Sequence, residues 1–244
     1  MIIEASDYVF KASPEIARAR RVLIKPCAAY PAPYPISTSP ELITRVIEGI
    51  REVSDADILI LEGTPSGSPI YSVYQALSYN FPRVLLLDVK DCIWVEVDNP
   101  LPKPFAIPTF WIPNVILSSD YLITLSTLKI INERADFGIM NLLSSLPSTK
   151  YGNRSPLGWD SLYAMGIDKV MADLYFTLPF DLGIIEARQL FNGKGQQLNQ
   201  GSVENLNKIF AGEPFDIDNE ACQMFGLKTE YLDLIKMARV GFEA

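Results

Sequence analysis

Apolar runs and helical repeats alternate along the first third of the chain. Residues 22–24 form an apolar run that stops at Pro26, and residues 58–61 form a second run of the same kind. Between the runs, apolar residues recur at helical spacing after Thr38 or Ser39, either of which can cap a helix reaching to about residue 53. A strand, a helix and a strand in so short a stretch predict a right-handed βαβ unit with parallel strands.

The same patterns predict elements along the rest of the chain. Strands are expected at residues 84–88, 93–97, 115–117, 121–124 and 182–186. Helices are expected at residues 71–78, 137–144, 168–176, 219–225 and 230–240, and residues 203–210 form a short amphipathic segment. We therefore predict an α/β fold in one domain of residues 1–244, with a mostly parallel central sheet and helices on both faces. A smaller inserted sub-structure is expected from residues 90–115 and 130–165.

Composition narrows the class of protein. With 244 residues, of which 48% are hydrophobic, the chain can bury a full core. Its net charge of -8 disfavours nucleic acid and anionic membranes as partners. No apolar run approaches the roughly 20 residues that span a bilayer, and the N-terminus lacks the order of a signal peptide. We predict a cytoplasmic, soluble protein.

The absence of histidine limits the chemistry available to the chain. It excludes His-dependent triads and His zinc sites, so acid–base work would fall to carboxylates, lysine, tyrosine or cysteine. Cys27, Cys92 and Cys222 are too scattered to indicate a disulfide framework or a Cys-x-x-Cys site. The sequence indicates neither a bound metal nor an identifiable cofactor.

Polar residues follow the first two predicted strands at the sheet edge where open α/β folds bind ligands. Lys25 ends the first strand and could bind a carboxylate or phosphate, or act as a base; the alternative is a salt-bridged lysine. Glu62 ends the second strand and precedes a Gly-Thr-Pro-Ser-Gly turn. The hydroxyls and backbone of Thr64, Ser66 and Gly67 could hold an oxyanion there, or the turn could be an ordinary one.

Later side chains add candidates. Lys129 ends another predicted strand and has the same two interpretations as Lys25. Cys27 could be a nucleophile favoured by a nearby lysine, or a small core residue. Glu186, Asp216 and Asp218 could divide acid and base roles or bind a hard cation, although Asp218 could instead cap the helix expected at residue 219.

Aromatic residues lie on Pro-rich loops at positions that could wall a pocket. They are Tyr30, Tyr34, Phe110 and Trp111, with Trp159 in a similar position. The alternative is that they pack against the domain. If they are exposed, they favour a homodimer.

Several stretches also share their order with one known family. They are Val-Leu-Ile-Lys-Pro-Cys at 22–27, Ser-Ser-Asp-Tyr-Leu-Ile-Thr at 118–124, Asn-Leu-Leu-Ser-Ser-Leu-Pro at 141–147, Asp-Leu-Gly-Ile-Ile-Glu at 181–186 and Ala-Gly-Glu-Pro-Phe-Asp at 211–216. The ordered set resembles the domain of unknown function 362 family. Gly193, Gly195 and Gly201 lie where that family has a Gly-rich turn. The resemblance implies that Lys25 and Asn141 belong to a functional site.

The sequence departs from the family pattern at four positions. Cys27 stands where the pattern has Asn, Ile131 where it has His, Met140 where it has Lys, and Glu186 where it has Asp. Many members of that family carry Cys-rich ferredoxin-like modules, and no such module occurs in these 244 residues. Any reaction that the family carries out with those Asn, His, Lys and Asp side chains would lack them in this chain.

The leading hypothesis is an enzyme acting on an anionic, carboxylate-bearing small molecule at the sheet edge. Lys25 and Lys129 would orient the substrate, and Glu62 or Glu186 would transfer protons, in lyase, hydrolase or acyl-transfer chemistry. The substrate-binding residues would be Cys27, Thr64, Ser66, Gly67 and Asn141. One alternative is a non-catalytic binding or accessory protein on the same scaffold. A further alternative, an iron–sulfur or metal-associated protein, is suggested only by relatives.

Overall fold

The computed structural model describes residues 1–194 and 200–242, which fold around one large sheet. Its strands are β1 (Ile2–Glu4), β2 (Arg21–Pro26), β3 (Asp57–Glu62), β4 (Val84–Asp88), β7 (Tyr121–Ile131), β8 (Arg134–Asp136), β9 (Leu182–Gly193) and β10 (Gly201–Gly212). Two further strands, β5 (Trp94–Asp98) and β6 (Thr109–Pro113), form a separate antiparallel pair. Gly195, for which the family resemblance implies a Gly-rich turn, lies outside the described residues.

The centre of the large sheet is parallel and one side of it is antiparallel. The strand order is β1-β10-β9-β7-β2-β3-β4, and β8 pairs with β7 as a hairpin. Strands β9, β7, β2, β3 and β4 run parallel to one another, while β10 and β1 add antiparallel strands beside β9. The predicted parallel βαβ unit is confirmed by the pairing of Val22 with Ile58.

Helices cover both faces of the sheet. They are α1 (Pro14–Arg18), α2 (Pro40–Arg51), α3 (Tyr71–Ala76), α4 (Asn114–Leu117), α5 (Ser148–Tyr151), α6 (Asp160–Ala164), α7 (Ile167–Thr177), α8 (Pro214–Met224) and α9 (Glu230–Phe242). None of the helices in the described residues is long and apolar enough to cross a membrane.

Alternation along the strands divides the core into two layers. Val22 and Ile24 of β2 pack in the layer that contains α2 and α3, whereas Leu23 packs on the opposite face with α7, α8 and α9. Successive side chains of a strand point to opposite faces, so a continuous apolar run is needed where both faces are covered. The α/β fold class and the covering of both faces are confirmed.

The helix after β2 follows directly from its sequence. The Ser39 hydroxyl accepts a hydrogen bond from the Leu42 backbone N–H at 3.1 Å, and Pro40 occupies the first turn. A Ser cap followed by Pro fixes a helix start because the free N–H groups of the first turn are either satisfied or absent. The predicted start of α2 is therefore correct, and Ser39 rather than Thr38 is its cap.

Other predictions need correction. Residues 115–117, expected as a strand, lie in the single helical turn α4. The amphipathic segment expected at residues 203–210, for which no element type was predicted, belongs to the long strand β10. Helix α8 begins at Pro214 and is capped by Glu213, so Asp218 lies inside it rather than at its cap. Short apolar runs do not distinguish a strand from a helical turn. Residues 140–145, expected as part of a helix, form a 3₁₀ segment.

Candidate functional site

A cavity of about 330 Å³ opens beside the carboxyl ends of β2 and β7. Its apolar and aromatic lining consists of Ala29, Tyr30, Ile36, Pro65, Ile131, Ala135, Met140, Leu143, Leu157, Trp159, Tyr163 and Ile167. Its polar lining consists of Cys27, Ser37, Lys129, Asn132, Arg134, Asp136, Asn141 and Ser144. The volume and the mixture of an apolar wall with a few polar groups are typical of small-molecule sites.

Lys129 lies at the centre of the polar groups. It is 4% exposed, and its Nζ is 2.9 Å from Cys27 Sγ and 3.2 Å from Thr127 Oγ1. The Ile36 carbonyl at 3.4 Å and the Asp136 carboxylate at 3.5 Å are more distant partners. Among the described residues, Lys129 is the lysine that lines the cavity.

The surroundings of Lys129 keep it charged. Burial by itself would lower its pKa, but the Asp136 carboxylate and the neighbouring Cys27 raise the pKa above the ordinary lysine value. An opposite charge at this distance favours the protonated amine. Lys129 is therefore suited to hold an anion and unsuited to take up a proton near neutral pH.

Cys27 is fixed at the cavity wall directly after β2. Its backbone N–H donates to the Leu125 carbonyl at 2.8 Å and to Thr38 Oγ1 at 2.9 Å. The half-buried thiol faces the cavity, where its sulfur accepts a hydrogen bond from Lys129. The lysine nearest to Cys27 in the sequence is Lys25, but the lysine that contacts its sulfur is 102 positions away.

The structure places Lys25 beneath the cavity, in a fully buried ion pair. Its Nζ lies 2.9 Å from Glu62 Oε2, and it also donates to the Pro26 carbonyl at 2.8 Å and to Asn141 Oδ1 at 3.3 Å. Glu62 accepts two further bonds, from the backbone N–H groups of Ala28 and Gly63. Neither Lys25 nor Glu62 lines the cavity, which favours the salt-bridge alternative for this pair.

Asn141 connects that ion pair to the cavity. Its Nδ2 donates to the Lys25 carbonyl at 3.2 Å and to Thr124 Oγ1 at 3.0 Å, and the side chain also lines the cavity. These bonds occupy the amide, so Asn141 holds β2, β7 and the 3₁₀ segment together at the cavity floor.

The turn after β3 does not face the cavity through its candidate residues. Thr64 Oγ1 donates to the Ser68 carbonyl, Ser66 Oγ donates to Ser68 Oγ, and the Gly67 N–H donates to the Thr64 carbonyl. Of this turn, Pro65 is the residue that reaches the cavity wall. The Thr64 and Ser66 hydroxyls and the Gly67 N–H thus donate within the turn, which favours the interpretation that this turn binds no oxyanion.

Glu186 lies away from the cavity, at the start of α2. Its carboxylate accepts hydrogen bonds from the Ser39 N–H at 2.9 Å, from the Ser39 hydroxyl at 2.7 Å and from Arg188 Nε at 2.9 Å. A carboxylate at a helix N-terminus is stabilised by the free N–H groups there. Glu186 therefore joins β9 to the start of α2.

The aromatic candidates separate into two groups. Tyr30 and Trp159 line the cavity, and the Trp159 indole N–H is bonded to the Leu146 carbonyl at 2.9 Å. Phe110 is fully buried in the core, Trp111 packs under Lys150, and Tyr34 packs under Arg188. Burial, assisted by Asp136, raises the pKa of Tyr30 to about 12, so its phenol stays neutral.

Two charged cavity residues were not among the sequence-based candidates. Asp136 faces Lys129 across the β7–β8 hairpin, and Arg134 lines the cavity while pairing with Asp168 at 2.5 Å. The Asn132-Glu133 turn of this hairpin has positive φ at both residues. Two-residue turns of that kind join antiparallel strands. A hairpin turn assigned to Asn132 and Glu133 in the sequence would therefore have predicted that Lys129 and Asp136 lie opposite each other.

The remaining acidic candidates do not gather into a site. Asp218 is buried in α8, where it accepts hydrogen bonds from the backbone of Gly138 and Ile139 and from the Tyr231 hydroxyl, while Asp216 is exposed. Within the described residues, no group of three or more His, Cys, Asp or Glu side chains could hold a metal ion.

Comparison with known families identifies the chain. The family model described as Domain of unknown function (DUF362) matches residues 22–223. The chain belongs to this family. Cys27, Ile131 and Met140, at which the resemblance led us to expect other side chains, line the cavity together.

A solved structure shares the fold of this DUF362 member. The lactate racemase apoprotein from Thermoanaerobacterium thermosaccharolyticum superposes with a TM-score of 0.56 at 13% sequence identity. The alignment covers 90% of this chain and 53% of that one, so the chain spans about half the length of this structural neighbour. No curated protein matches the sequence. The comparison supports the α/β fold.

Proposed function

We propose that the chain binds a small organic molecule with a carboxylate and an apolar body in the cavity beside β2 and β7. The observation that carries the proposal is the ammonium of Lys129 at the wall of a mostly apolar cavity. A charged group placed among apolar walls fixes the orientation of an amphipathic ligand. The charge of Lys129 is maintained by its raised pKa.

The contacts of Lys129 indicate how a carboxylate would enter. The bonds to Cys27 and Thr127 are the shorter ones, whereas the Ile36 carbonyl and Asp136 lie at 3.4 and 3.5 Å. A ligand carboxylate would replace one of the two longer contacts. Arg134 also lines the cavity, but its guanidinium is paired with Asp168, so Lys129 is the cation on which the proposal rests.

The test measures thermal unfolding with hexanoate and with hexanamide, which has the same chain without the charge. Hexanoate is expected to raise the Tm, by about 2 to 4 °C for each kcal/mol of binding free energy, and hexanamide is not. Lys129→Met is expected to remove the hexanoate shift, whereas the control Lys103→Met, at an exposed lysine outside the cavity, keeps it. Equal shifts for both compounds, or a shift retained in Lys129→Met, would contradict the proposal.

The second candidate, a non-catalytic binding protein, differs from an enzyme that acts on this molecule: binding is then the whole function, and the protein catalyses no reaction on its ligand. It is supported by the Lys25–Glu62 pair, whose charges are buried and bonded to each other away from the cavity. If this candidate is correct, the protein binds hexanoate and leaves derivatives of hexanoate chemically unchanged.

A further inference from the structure

The contact between Cys27 and Lys129 places a thiol and an ammonium group together at the cavity wall. The Sγ–Nζ distance is 2.9 Å, and the second partner of the sulfur is the Ile36 carbonyl at 3.6 Å. A thiolate is the nucleophilic form of cysteine, and an adjacent positive charge stabilises it. The Lys129 ammonium, 2.9 Å from Cys27 Sγ, supplies this positive charge.

The other two cysteines lack these features. Burial raises the pKa of Cys92 to about 11 and that of Cys222 to about 12, and nearby carboxylates add to both effects. Neither residue lines the cavity. The chain therefore offers one cysteine with an ammonium partner beside space for a ligand, and two internal controls.

We propose that Cys27 is a catalytic nucleophile that accepts an acyl group from a thioester. The acid from which this thioester is formed is the small organic acid that binds in the cavity. This inference rests on the proposed function, since the acid of that thioester is the proposed ligand. The Cys27 thiolate forms a bond to the acyl carbon, and the bond from that carbon to the leaving sulfur breaks. The departing thiolate carries the electron pair and takes a proton from solvent, so charge is conserved.

The acyl group is then released to water. Water adds to the acyl carbon, its proton passes to Asp136, and the bond from carbon to Cys27 breaks to restore the thiolate beside Lys129. The product acid and Asp136 release their protons to solvent. Asp136 is the carboxylate placed for this step, because it lines the same cavity and lies 3.5 Å from the Lys129 Nζ that contacts Cys27 Sγ. The net reaction is hydrolysis of a thioester.

The first experiment treats the full chain with the hexanoyl thioester of N-acetylcysteamine and follows the protein by intact mass spectrometry and peptide mapping. We expect one hexanoyl group on Cys27 and release of N-acetylcysteamine. Cys27→Ser is expected to lose both, whereas Cys92→Ser behaves as the unchanged protein. Equal labelling of Cys92 or Cys222, or unchanged thiol release from Cys27→Ser, would overturn the assignment.

Two variants separate the steps. Lys129→Met is expected to slow acylation roughly a hundredfold, the size of losing one charged stabilising group, and to move the pH profile of acylation to higher pH. Asp136→Asn is expected to acylate but to accumulate the hexanoyl adduct, because the base for the water step is lost. An unchanged acylation rate and pH profile in a folded Lys129→Met variant would contradict the role of the pair.

Binding of hexanoate, measured in parallel, distinguishes the two proposals. If hexanoate raises the Tm but the thioester neither labels Cys27 nor is cleaved, the nucleophile is refuted and the binding site stands. If Cys27 is acylated although hexanoate does not bind, the carboxylate site is refuted and the nucleophile stands. If neither occurs, both proposals are wrong.

Discussion

Lys25 and Lys129 are the same kind of residue on adjacent parallel strands, yet their surroundings give them different roles. Lys25 is 0% exposed, and its ammonium contacts a carboxylate, a carbonyl and an amide oxygen. Lys129 lies further along β7 and reaches the cavity. The sequence predicted that both would face one cleft, and the structure brings only Lys129 to it.

The buried pair gives a prediction for stability. Lys25→Met leaves the Glu62 carboxylate buried without its cation, so we expect the free energy of unfolding to fall by about 3 to 5 kcal/mol. Urea denaturation measures this change. The double variant Lys25→Met/Glu62→Gln should recover most of the loss, because no buried charge remains. Loss of stability below about 1 kcal/mol in Lys25→Met would contradict a structural role.

Asp218 gives a prediction for pH. Burial raises its pKa from 3.8 to about 7, although bonds from the Ile139 N–H, the Tyr231 hydroxyl and the Gly138 N–H favour the charged form. Between pH 3.8 and about pH 7, the Asp218 carboxyl keeps its proton in the folded state and has released it in the unfolded state. The contribution of Asp218 to stability is therefore largest at low pH and declines as pH rises to about 7.

Urea denaturation of the unchanged protein and of Asp218→Asn at about pH 5 and pH 8 tests this sign. The stability of the unchanged protein relative to Asp218→Asn should be greater at the lower pH, with a slope of at most about 1.4 kcal/mol per pH unit. Titrating groups common to both proteins cancel in the difference. A relative stability that does not fall between pH 5 and pH 8 would show that folding does not raise the pKa of Asp218.

At the scale of elements, two connections decide the shape of the cavity. The β7–β8 hairpin carries Lys129 and Asp136 on paired strands, and the segment before α6 brings Trp159 over the apolar wall. The short predicted strand at 121–124 is correct in position, but β7 continues to Ile131. That extension is what carries Lys129 past the edge of its neighbour β2.

Gly158 allows the segment before α6 to approach the turn after β3. Its φ is +65°, and a Cβ there would lie 2.7 Å from the Cα of Pro65. We expect Gly158→Ala to destabilise the protein by more than the roughly 1 to 2 kcal/mol of left-handed backbone alone. It should also reduce the hexanoate-induced shift in Tm, because Pro65 and Trp159 both line the cavity.

Gly226 is the matched control for that variant. It also has a left-handed φ, +62°, but nothing lies within 4 Å of a Cβ placed there. In urea denaturation, Gly226→Ala should therefore lower the free energy of unfolding only by the roughly 1 to 2 kcal/mol of a left-handed backbone. The hexanoate-induced shift in Tm should be unchanged. Equal losses of stability in the two variants would show that the approach to Pro65 is not limiting.

At the scale of the whole molecule, the net charge disfavours one class of partner, nucleic acid. The net charge of -8 disfavours association with a phosphate backbone. We expect the chain to leave a DNA duplex unshifted in gel electrophoresis at low salt, where electrostatic attraction is strongest. A basic DNA-binding protein run alongside gives the positive control. A retarded band that disappears with added salt would contradict this prediction.

Fold and site differ in how far local sequence determines them. The Ser39-Pro40 start of α2 and the apolar runs of β2 and β3 depend on neighbouring residues, so their pattern predicted them correctly. The strand predicted at residues 115–117 is wrong because three apolar residues fit a helical turn as well as a strand. Cys27, Lys129 and Asn141 are candidates from the sequence, but the Cys27–Lys129 and Lys25–Asn141 contacts join residues 102 and 116 positions apart, which no local pattern predicts.

The sequence by itself determined a parallel α/β core, since apolar periodicity, helix caps and strand-ending prolines act over a few residues. It also determined an acidic protein without histidine chemistry. The tertiary structure alone decided that Lys25 pairs with Glu62 while Lys129 meets Cys27. The reason is that burial and pairing of charges depend on strand order and on loops folding over the sheet edge, which bring together side chains 102 positions apart.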